Sequence, residues 1–196
     1  MQRGVTLYFI RHGETDWNRI QRYQGQTDIP LNDTGRAQAA RNGGALLEVL
    51  GETKSSLDYV ASPLQRTRET MQIVRRGLNL PPDDFRTDDR LKEQHFGHWE
   101  GLLWTELPSL DPQGFAARQA DMWNWQPTGG ENYATVRTRV MAWLDQIARD
   151  TVVVSHGNIS RTLRQILLGI EPEAAPRLEV PQDKILRISA GAANWI

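Results

Sequence analysis

The stretch Tyr8–Thr15 reads YFIRHGET, an apolar run that ends abruptly in Arg-His-Gly. A second stretch, Val152–Ser160, reads VVVSHGNIS and ends its apolar run in Ser-His-Gly. Short apolar runs rich in β-branched and aromatic residues are typical of strands that are buried on both faces of a sheet. The sequence therefore sets His12 and His156, two of its four histidines, at the ends of two predicted buried strands.

Helical patterns alternate with strand patterns along the rest of the chain. Helices are predicted after N-caps at Thr34 and Ser62, the second with Pro63 and Gln65 as a capping box, and again from Glu131 and from Asn158. The predicted strands are Val5–Ile10, Tyr59–Ala61, Phe85–Leu91, Thr151–Val154 and Lys184–Ser189. This alternation favours parallel βαβ crossovers. The sequence predicts an α/β fold: a three-layer sandwich with a mostly parallel central sheet flanked by helices.

Two segments lack a regular period. Arg11–Pro30 is polar and is predicted to be a long loop, and loops of that length inside compact domains are usually functional. Gln94–Gly130 gathers four of the seven tryptophans among Gly and Pro, so we expect a small inserted lid there. A chain of 196 residues is long enough for one domain with such an insertion, and residues 1–196 are predicted to form a single domain.

The composition excludes several classes of partner. Lys and Arg total 23 against 24 Asp and Glu, so there is no overall attraction to nucleic acid or to an anionic membrane. The absence of cysteine removes thiol catalysis, thiolate metal sites and disulfides. No leader or membrane-spanning stretch is recognised, so a cytoplasmic location is expected. Oligomeric state is not constrained by the sequence.

Common cofactor motifs are also missing. The first strand is followed by RHGETDWN rather than G-x-G-x-x-G, and no G-x-x-x-x-G-K-[ST] occurs. His95 and His98 are spaced like a metal-binding pair, but no third ligand stands near them in the sequence. We therefore expect neither a cofactor nor a metal.

Ligands of open α/β sheets bind outside the carboxyl ends of the strands. Arg11, His12, Arg66 and His156 all follow predicted strands and converge on that edge. Arginine presents a planar fork of donors that matches phosphate oxygens, so two arginines with two histidines suit a phosphoryl group. The glycine after each histidine allows a sharp turn and a close approach of backbone to ligand. The non-functional alternatives are a turn in which the imidazole is hydrogen-bonded within the protein and, for Arg66, an exposed helix residue in contact with solvent.

Four motifs occur in order along the chain: RHGETDWN, SPLQRTRET, LKEQHFGHWEG and VSHGNISR. Together they resemble the histidine phosphatase superfamily, which has the phosphoglycerate mutase-like fold, and they cover most of the chain from Arg11 to Arg161. The resemblance implies that His12 is the nucleophile and becomes phosphohistidine, and that Glu93 is the proton donor. It assigns the phosphoryl pocket to Arg11, Asn18, Gln24, Arg66 and His156.

The residues alone leave more open than the resemblance does. Either histidine could attack, and three further carboxylates are candidates for the acid: Glu14, Asp16 and Glu100. The implied activity is metal-independent hydrolysis of small phosphorylated metabolites, with phosphoglycerate mutase-type transfer and a non-catalytic phosphate-binding domain as alternatives. Mutases of the family typically read Glu-Arg-His-Tyr-Gly where this chain has Glu93-Gln94-His95-Phe96-Gly97, and Ser where it has Gln24. These differences favour the phosphatase branch.

Overall fold

A six-stranded sheet forms the centre of a computed structural model that describes residue 2 and residues 4–196. The strands are β1 (Leu7–Arg11), β2 (Asp58–Ala61), β3 (Arg86–Thr87), β4 (Thr151–Ser155), β5 (Ile185–Ser189) and β6 (Ala192–Trp195). Their order across the sheet is β3-β2-β4-β1-β5-β6. The pairs β2–β3, β2–β4 and β1–β4 are parallel, whereas β5 is antiparallel to both β1 and β6.

The predicted α/β class is confirmed, and the sheet differs from the prediction at its two edges. β3 covers only Arg86–Thr87, because a helical turn at Asp89–Leu91 follows it at once. β6 was not predicted, since Ala-Ala-Asn-Trp lacks β-branched residues. It forms because Ala190 and Gly191, with φ of 50° and 75°, make a two-residue hairpin turn after β5.

The described part of the chain contains seven α-helices. They are α1 (Asp16–Arg19), α2 (Asp33–Leu50), α3 (Gln65–Gly77), α4 (Leu107–Leu110), α5 (Pro112–Ala120), α6 (Tyr133–Leu144) and α7 (Gly157–Leu168). None of them is long and apolar enough to cross a bilayer. α1 lies inside the stretch predicted as loop, where Thr15 and Asn18 form a capping box around one turn.

Both predicted serine and threonine caps are wrong. The side chain of Asn32, not Thr34, caps α2 by accepting a hydrogen bond from the Gly35 N–H at 2.9 Å. α3 begins after Leu64 without a side-chain cap, and the Ser62 hydroxyl lies instead 2.8 Å from Nε2 of His156. A neighbouring asparagine takes the first cap, and a distant contact with His156 engages the hydroxyl predicted for the second.

The core consists of two apolar layers, one on each face of the sheet. Leu7 and Phe9 of β1 belong to the layer under α6 and α7, whereas Tyr8 and Ile10 belong to the layer under α2 and α3. Alternate residues of a strand point to opposite faces, so β1 is buried on both. This is the expected three-layer sandwich with the first histidine at the end of its central strand.

The inserted segment packs as a small aromatic cluster above the strand ends. Trp99 is fully buried and lies 4.1 Å, centroid to centroid, from Trp125. Tyr23, from the loop after β1, packs edge-on against Trp99 and stacks on Trp104. Trp123 is an exception, because it stacks on Tyr133 in a separate cluster. The insertion therefore packs against the loop that follows His12.

Candidate active site

His12 begins the site, directly after β1. Its ring is buried, and Nδ1 lies 2.7 Å from the carbonyl oxygen of Gly13. A carbonyl only accepts, so Nδ1 carries the proton and Nε2 keeps its lone pair. Burial, followed by the charges of Arg66 and Arg11, holds the pKa of His12 well below 6.5. The imidazole is therefore neutral at physiological pH, with a free nitrogen at Nε2.

Arg66 points directly at that nitrogen. Its Nε lies 3.3 Å from Nε2 of His12, and its other nitrogens donate to the carbonyls of Thr27 at 2.9 Å and Gly25 at 2.7 Å. Burial lowers the pKa of Arg66 to about 10, which leaves it charged at neutral pH. The solvated-helix alternative for Arg66 is excluded, because the side chain is fully buried.

Arg11 and His156 complete the group of four predicted from the strand ends. Arg11 donates from Nη1 to the carbonyl of Val180 at 2.8 Å, and burial lowers its pKa to about 10. The rings of His12 and His156 lie 5.2 Å apart between centroids. Burial and the neighbouring Arg66 hold the pKa of His156 well below 6.5. Nε of Arg11 and Nδ1 of His156 are buried and have no hydrogen-bond partner among the described residues.

Glu93 is the carboxylate that reaches this pocket. It accepts hydrogen bonds from the backbone N–H of Gln94 at 3.0 Å and of Asn158, in the first turn of α7, at 3.2 Å. Arg139 holds the Glu93 segment, since it donates to the backbone carbonyls of Arg90, Lys92 and Glu93. The pocket lining contains no other carboxylate among the residues that the structure describes.

The other candidate acids are occupied elsewhere. The Glu100 carboxylate accepts from the N–H of Gln26, Thr27 and Phe96 and from the hydroxyl of Thr27, at 2.7 to 3.0 Å. Glu14 accepts from the side chain of Asn32 at 2.8 Å, and Asp16 forms an exposed ion pair with Arg19. Glu100 thereby holds the loop whose carbonyls position Arg66.

Asn18 and Gln24 both line the pocket. Asn18 accepts from Gln182 at 3.1 Å and from the Thr15 N–H at 3.3 Å, so the capping box of α1 fixes its side chain. Gln24 donates to the Thr15 hydroxyl, and its buried Oε1 has no partner in the described part of the chain. The short helix that the sequence did not predict thus places Asn18 at the pocket, and its N-cap residue Thr15 holds Gln24 there.

The two glycines after the histidines have different roles. A Cβ at Gly13 would lie 2.2 Å from the carbonyl oxygen of Gly35, so this glycine makes room for the first turn of α2 rather than for a ligand. A Cβ at Gly157 would lie 3.5 Å from Arg161, 3.7 Å from Glu93 and 3.9 Å from Arg11. Only the second glycine fits the predicted close approach to a ligand.

The pocket has a volume of about 470 Å³ and includes residues that the sequence did not single out. Those missed are Gln21, Arg22, Tyr23, Gly25, Phe96, Trp104, Arg118, Asn158 and Arg161. Arg161 ends the fourth motif, four residues after Gly157 on the same helical face, and that spacing was a usable signal. Arg118 lies on α5 of the insertion and carried no sequence signal. His156 is fully buried beside His12, with the ring centroids 5.2 Å apart.

The imidazoles of His95 and His98 have hydrogen-bond partners within the insertion. Nδ1 of His95 accepts from the Gly97 N–H at 2.9 Å, and Nε2 of His98 lies 3.1 Å from the Asp111 carboxylate. No group of three or more metal-ligating side chains occurs among residue 2 and residues 4–196.

Comparison with known proteins gives one family. Residues 7–196 match the model of the histidine phosphatase superfamily, branch 1. Glucosyl-3-phosphoglycerate phosphatase of Mycobacterium tuberculosis is 34% identical over 90% of this chain and 81% of its own length. Metal-independent phosphoserine phosphatase of Arabidopsis thaliana is 32% identical over 80% of this chain and 66% of its own length.

A solved structure extends the similarity to the fold. The structure of a mycobacterial glucosyl-3-phosphoglycerate phosphatase in complex with VO3 superposes with a TM-score of 0.77 and 30% identity. The match covers 100% of this chain and 96% of that one.

Proposed function

Because this chain belongs to the histidine phosphatase superfamily and is a phosphomonoesterase, we propose that it hydrolyses small phosphorylated metabolites through a phosphohistidine and without a metal. The observation that carries the proposal is the state of His12. Its Nδ1 donates to Gly13, which leaves Nε2 unprotonated and 3.3 Å from Arg66. This is a nucleophile beside a cation, as phosphoryl transfer requires.

In the first step, Nε2 of His12 attacks phosphorus and the bond from phosphorus to the ester oxygen breaks. Arg11 and Arg66 match the charge on the transferring group, and Asn18 and Gln24 supply polar contacts on the other side. The Glu93 carboxyl group gives its proton to the leaving oxygen, so the product leaves as an alcohol. General acid catalysis of this kind contributes about 10²–10⁴-fold.

In the second step, water attacks the phosphohistidine. Glu93, now ionised, takes the proton from that water, and the bond between Nε2 and phosphorus breaks. Inorganic phosphate leaves, and Glu93 and His12 return to their starting states. His156 packs against His12, with Nε2 of its ring 2.8 Å from the Ser62 hydroxyl, and its contact with the phosphoryl group stays a prediction.

In this proposal, the positive charge of two arginines takes the place of a metal ion. Arg11 and Arg66 both remain protonated at neutral pH, with pKa values of about 10, and both line the pocket. Two fixed guanidinium groups supply the charge that a divalent ion supplies in metallophosphatases. The names of the plant and mycobacterial relatives, both phosphatases, agree with hydrolysis.

The test is phosphate release from a panel of phosphate esters, with and without EDTA and vanadate. We expect activity that survives EDTA and is inhibited by vanadate, which mimics the five-coordinate state of phosphorus. Activity lost in EDTA and restored by a divalent ion would overturn metal independence. In a parallel assay with 2,3-bisphosphoglycerate, conversion of 3- to 2-phosphoglycerate that is faster than any phosphate release would identify a mutase instead.

A further inference from the structure

A short segment after α7, residues 178–182, supports one wall of the site. It lies beyond the four motifs, the last of which ends at Arg161. The backbone carbonyl of Leu178 accepts a hydrogen bond from Nε of Arg161 at 2.9 Å, and that of Val180 accepts from Nη1 of Arg11 at 2.8 Å. Both arginines line the pocket. The segment therefore fixes two charged groups of the pocket, although no motif includes it.

The side chain of Gln182 connects this segment to the nucleophile. Its Nε2 donates to the carbonyl oxygen of His12 at 3.0 Å and to Oδ1 of Asn18 at 3.1 Å. The backbone carbonyl of Gln182 accepts from the buried side chain of Asn42 at 3.0 Å, which ties the residue to α2. A side-chain amide has two N–H donors, and protein oxygens use both of them here. Gln182 therefore has no donor left for a phosphoryl group and acts on the reaction only through other residues.

The contact with Asn18 determines which end of the Asn18 amide is available to a ligand. Oδ1 of Asn18 accepts from Gln182 and, at 3.3 Å, from the N–H of Thr15, so both lone pairs of this oxygen are occupied. Asn18 lines the pocket, and its Nδ2 has no hydrogen-bond partner in the described part of the chain. Asn18 thus offers two N–H donors to a phosphoryl group, whose ionised oxygens can only accept.

The same contacts disfavour the opposite orientation of the Asn18 amide. A half-turn of the terminal torsion exchanges Oδ1 and Nδ2 with almost no change in shape. It would set Nδ2 against two donors, from Gln182 and Thr15, and would turn Oδ1 toward the phosphoryl dianion. Without Gln182, only the longer bond from Thr15, at 3.3 Å, opposes this half-turn. Gln182 is therefore the stronger of the two constraints on Asn18.

We propose that Gln182 is a positioning residue of the phosphoryl site and orients Asn18 as a donor to the phosphoryl group. The carbonyl oxygen of His12 can only accept, so it fixes the amide of Gln182, and Gln182 in turn fixes the amide of Asn18. One side chain thereby links the backbone of the nucleophile to a group that binds the phosphoryl oxygens. This inference rests on the proposed function, since it concerns how the same site holds its substrate.

The experiment measures inhibition by orthovanadate in a double-mutant cycle, with p-nitrophenyl phosphate as substrate. The cycle compares wild type, Gln182→Met, Asn18→Ala and the double variant, and methionine keeps the length of the side chain while it removes both donors. We expect Asn18→Ala to raise the inhibition constant by about 10-fold or more, the value of a hydrogen bond to a charged group, and Gln182→Met by about 5-fold or more. In the Asn18→Ala background, Gln182→Met should add less than about twofold.

Gln182→Glu is the second variant. A carboxylate can only accept, so it should draw Nδ2 of Asn18 toward itself and turn Oδ1 toward the phosphoryl site. We expect a larger rise in the inhibition constant than in Gln182→Met. Asn18→Ala should remove most of this excess, which separates a turned amide from simple charge repulsion.

Gln165→Met is the matched control. It removes another half-buried glutamine, on α7, whose Oε1 accepts from Nε of Arg137 at 2.9 Å. The inhibition constant should not change in this variant.

Two results would overturn the inference: an unchanged inhibition constant in Gln182→Met, or the same fold-change for Gln182→Met with and without Asn18. The second result would show a general effect on the fold, which thermal unfolding of each variant measures independently. Failure of the proposed function is recognised separately, by hydrolysis of p-nitrophenyl phosphate. If hydrolysis depends on His12 while Gln182→Met behaves as wild type, only the positioning role is wrong. If hydrolysis does not depend on His12, the proposed function itself is wrong.

Discussion

His12 shows how the surroundings of one residue set its chemistry. The Gly13 carbonyl fixes its tautomer, and burial with two arginines holds its pKa well below 6.5. Sequence alone placed His12 at a strand end, but it could not say which of the two histidines attacks. The structure adds that His12 lines the pocket, whereas Nε2 of His156 lies 2.8 Å from the Ser62 hydroxyl, and attack by His12 stays a prediction.

Replacement of Glu93 by Gln tests the acid. The amide cannot give a proton, so esters with poor leaving groups, such as glycerol 3-phosphate, should slow by about 10²–10⁴-fold. p-Nitrophenyl phosphate should slow far less, since its leaving group hardly needs a proton. Comparing kcat for the two esters measures the difference, and equal losses on both would move the acid role away from Glu93.

Glu100→Gln is the matched control for this prediction. Glu100 accepts four hydrogen bonds that hold the loop around Arg66. Its replacement should therefore lower kcat to the same degree for both esters. It should also lower the free energy of unfolding by about 1–3 kcal/mol, because a donor of that loop loses its acceptor.

Among single residues, the sequence predicts those that follow the strands at the phosphoryl site better than those on the insertion side of the pocket. Arg11 and His12 stand at the end of a buried strand. That position brings them to the edge of the sheet independently of the conformation of the loops. Arg118 and Arg22 reach the pocket through packing against Trp104 and Trp17. No local pattern encodes such contacts, which depend on how the insertion folds onto the loop after β1.

At the level of elements, two glycines in the first turns of α7 and α2 lead to opposite predictions. Gly157→Ala adds a methyl group in the first turn of α7, which favours the helix, so the protein should fold. The methyl would stand within 3.9 Å of Arg161, Glu93 and Arg11, at the proposed phosphoryl site. We expect kcat/KM to fall by about 10- to 100-fold with an unchanged melting temperature.

Gly35→Ala is the counterpart in the first turn of α2. Its Cβ would lie 2.2 Å from the backbone oxygen of Glu14, and neither backbone segment is free to move. We expect a loss of about 1–3 kcal/mol or more in the free energy of unfolding, measured in urea. A Gly35→Ala protein as stable as wild type, or a fully active Gly157→Ala protein, would contradict this account of the two turns.

Long periodic elements could be predicted from the sequence, and their ends could not. The stripe from Leu64 to Leu78 gave α3 correctly, because its apolar period is a property of the helix itself. The predicted cap at Ser62 was wrong because that hydroxyl bonds to His156, and the N–H of Gln65 donates to Asp28 instead. α1 and β6 were missed for another reason, because a local capping box and a two-residue turn form them without an apolar period.

The whole molecule should lose stability in mild acid because of its two buried histidines. Both have pKa values well below 6.5 in the folded protein, whereas unfolded histidine titrates near 6.5. Below about pH 6.5 the unfolded state therefore binds protons that the folded state does not. Stability is fully present above that pH and falls as pH drops toward the folded pKa values, by up to about 1.4 kcal/mol per pH unit for each histidine.

Urea unfolding between about pH 7.5 and 5 measures this slope. In a protein with both His12→Asn and His156→Asn the slope should flatten, because the groups that take up protons on unfolding are gone. An unchanged slope in the double variant would show that other groups cause the acid sensitivity.

The central claim, that His12 is phosphorylated during turnover, is tested most directly by rapid quench with a ³²P-labelled phosphomonoester. Quenching in alkaline denaturant preserves phosphohistidine, and peptide mapping locates the label. We predict a base-stable, acid-labile label on His12 in the wild-type protein within the first turnover, and none in His12→Asn. A wild-type protein that turns over without such a label, or a His12→Asn protein that is labelled equally, would contradict the account.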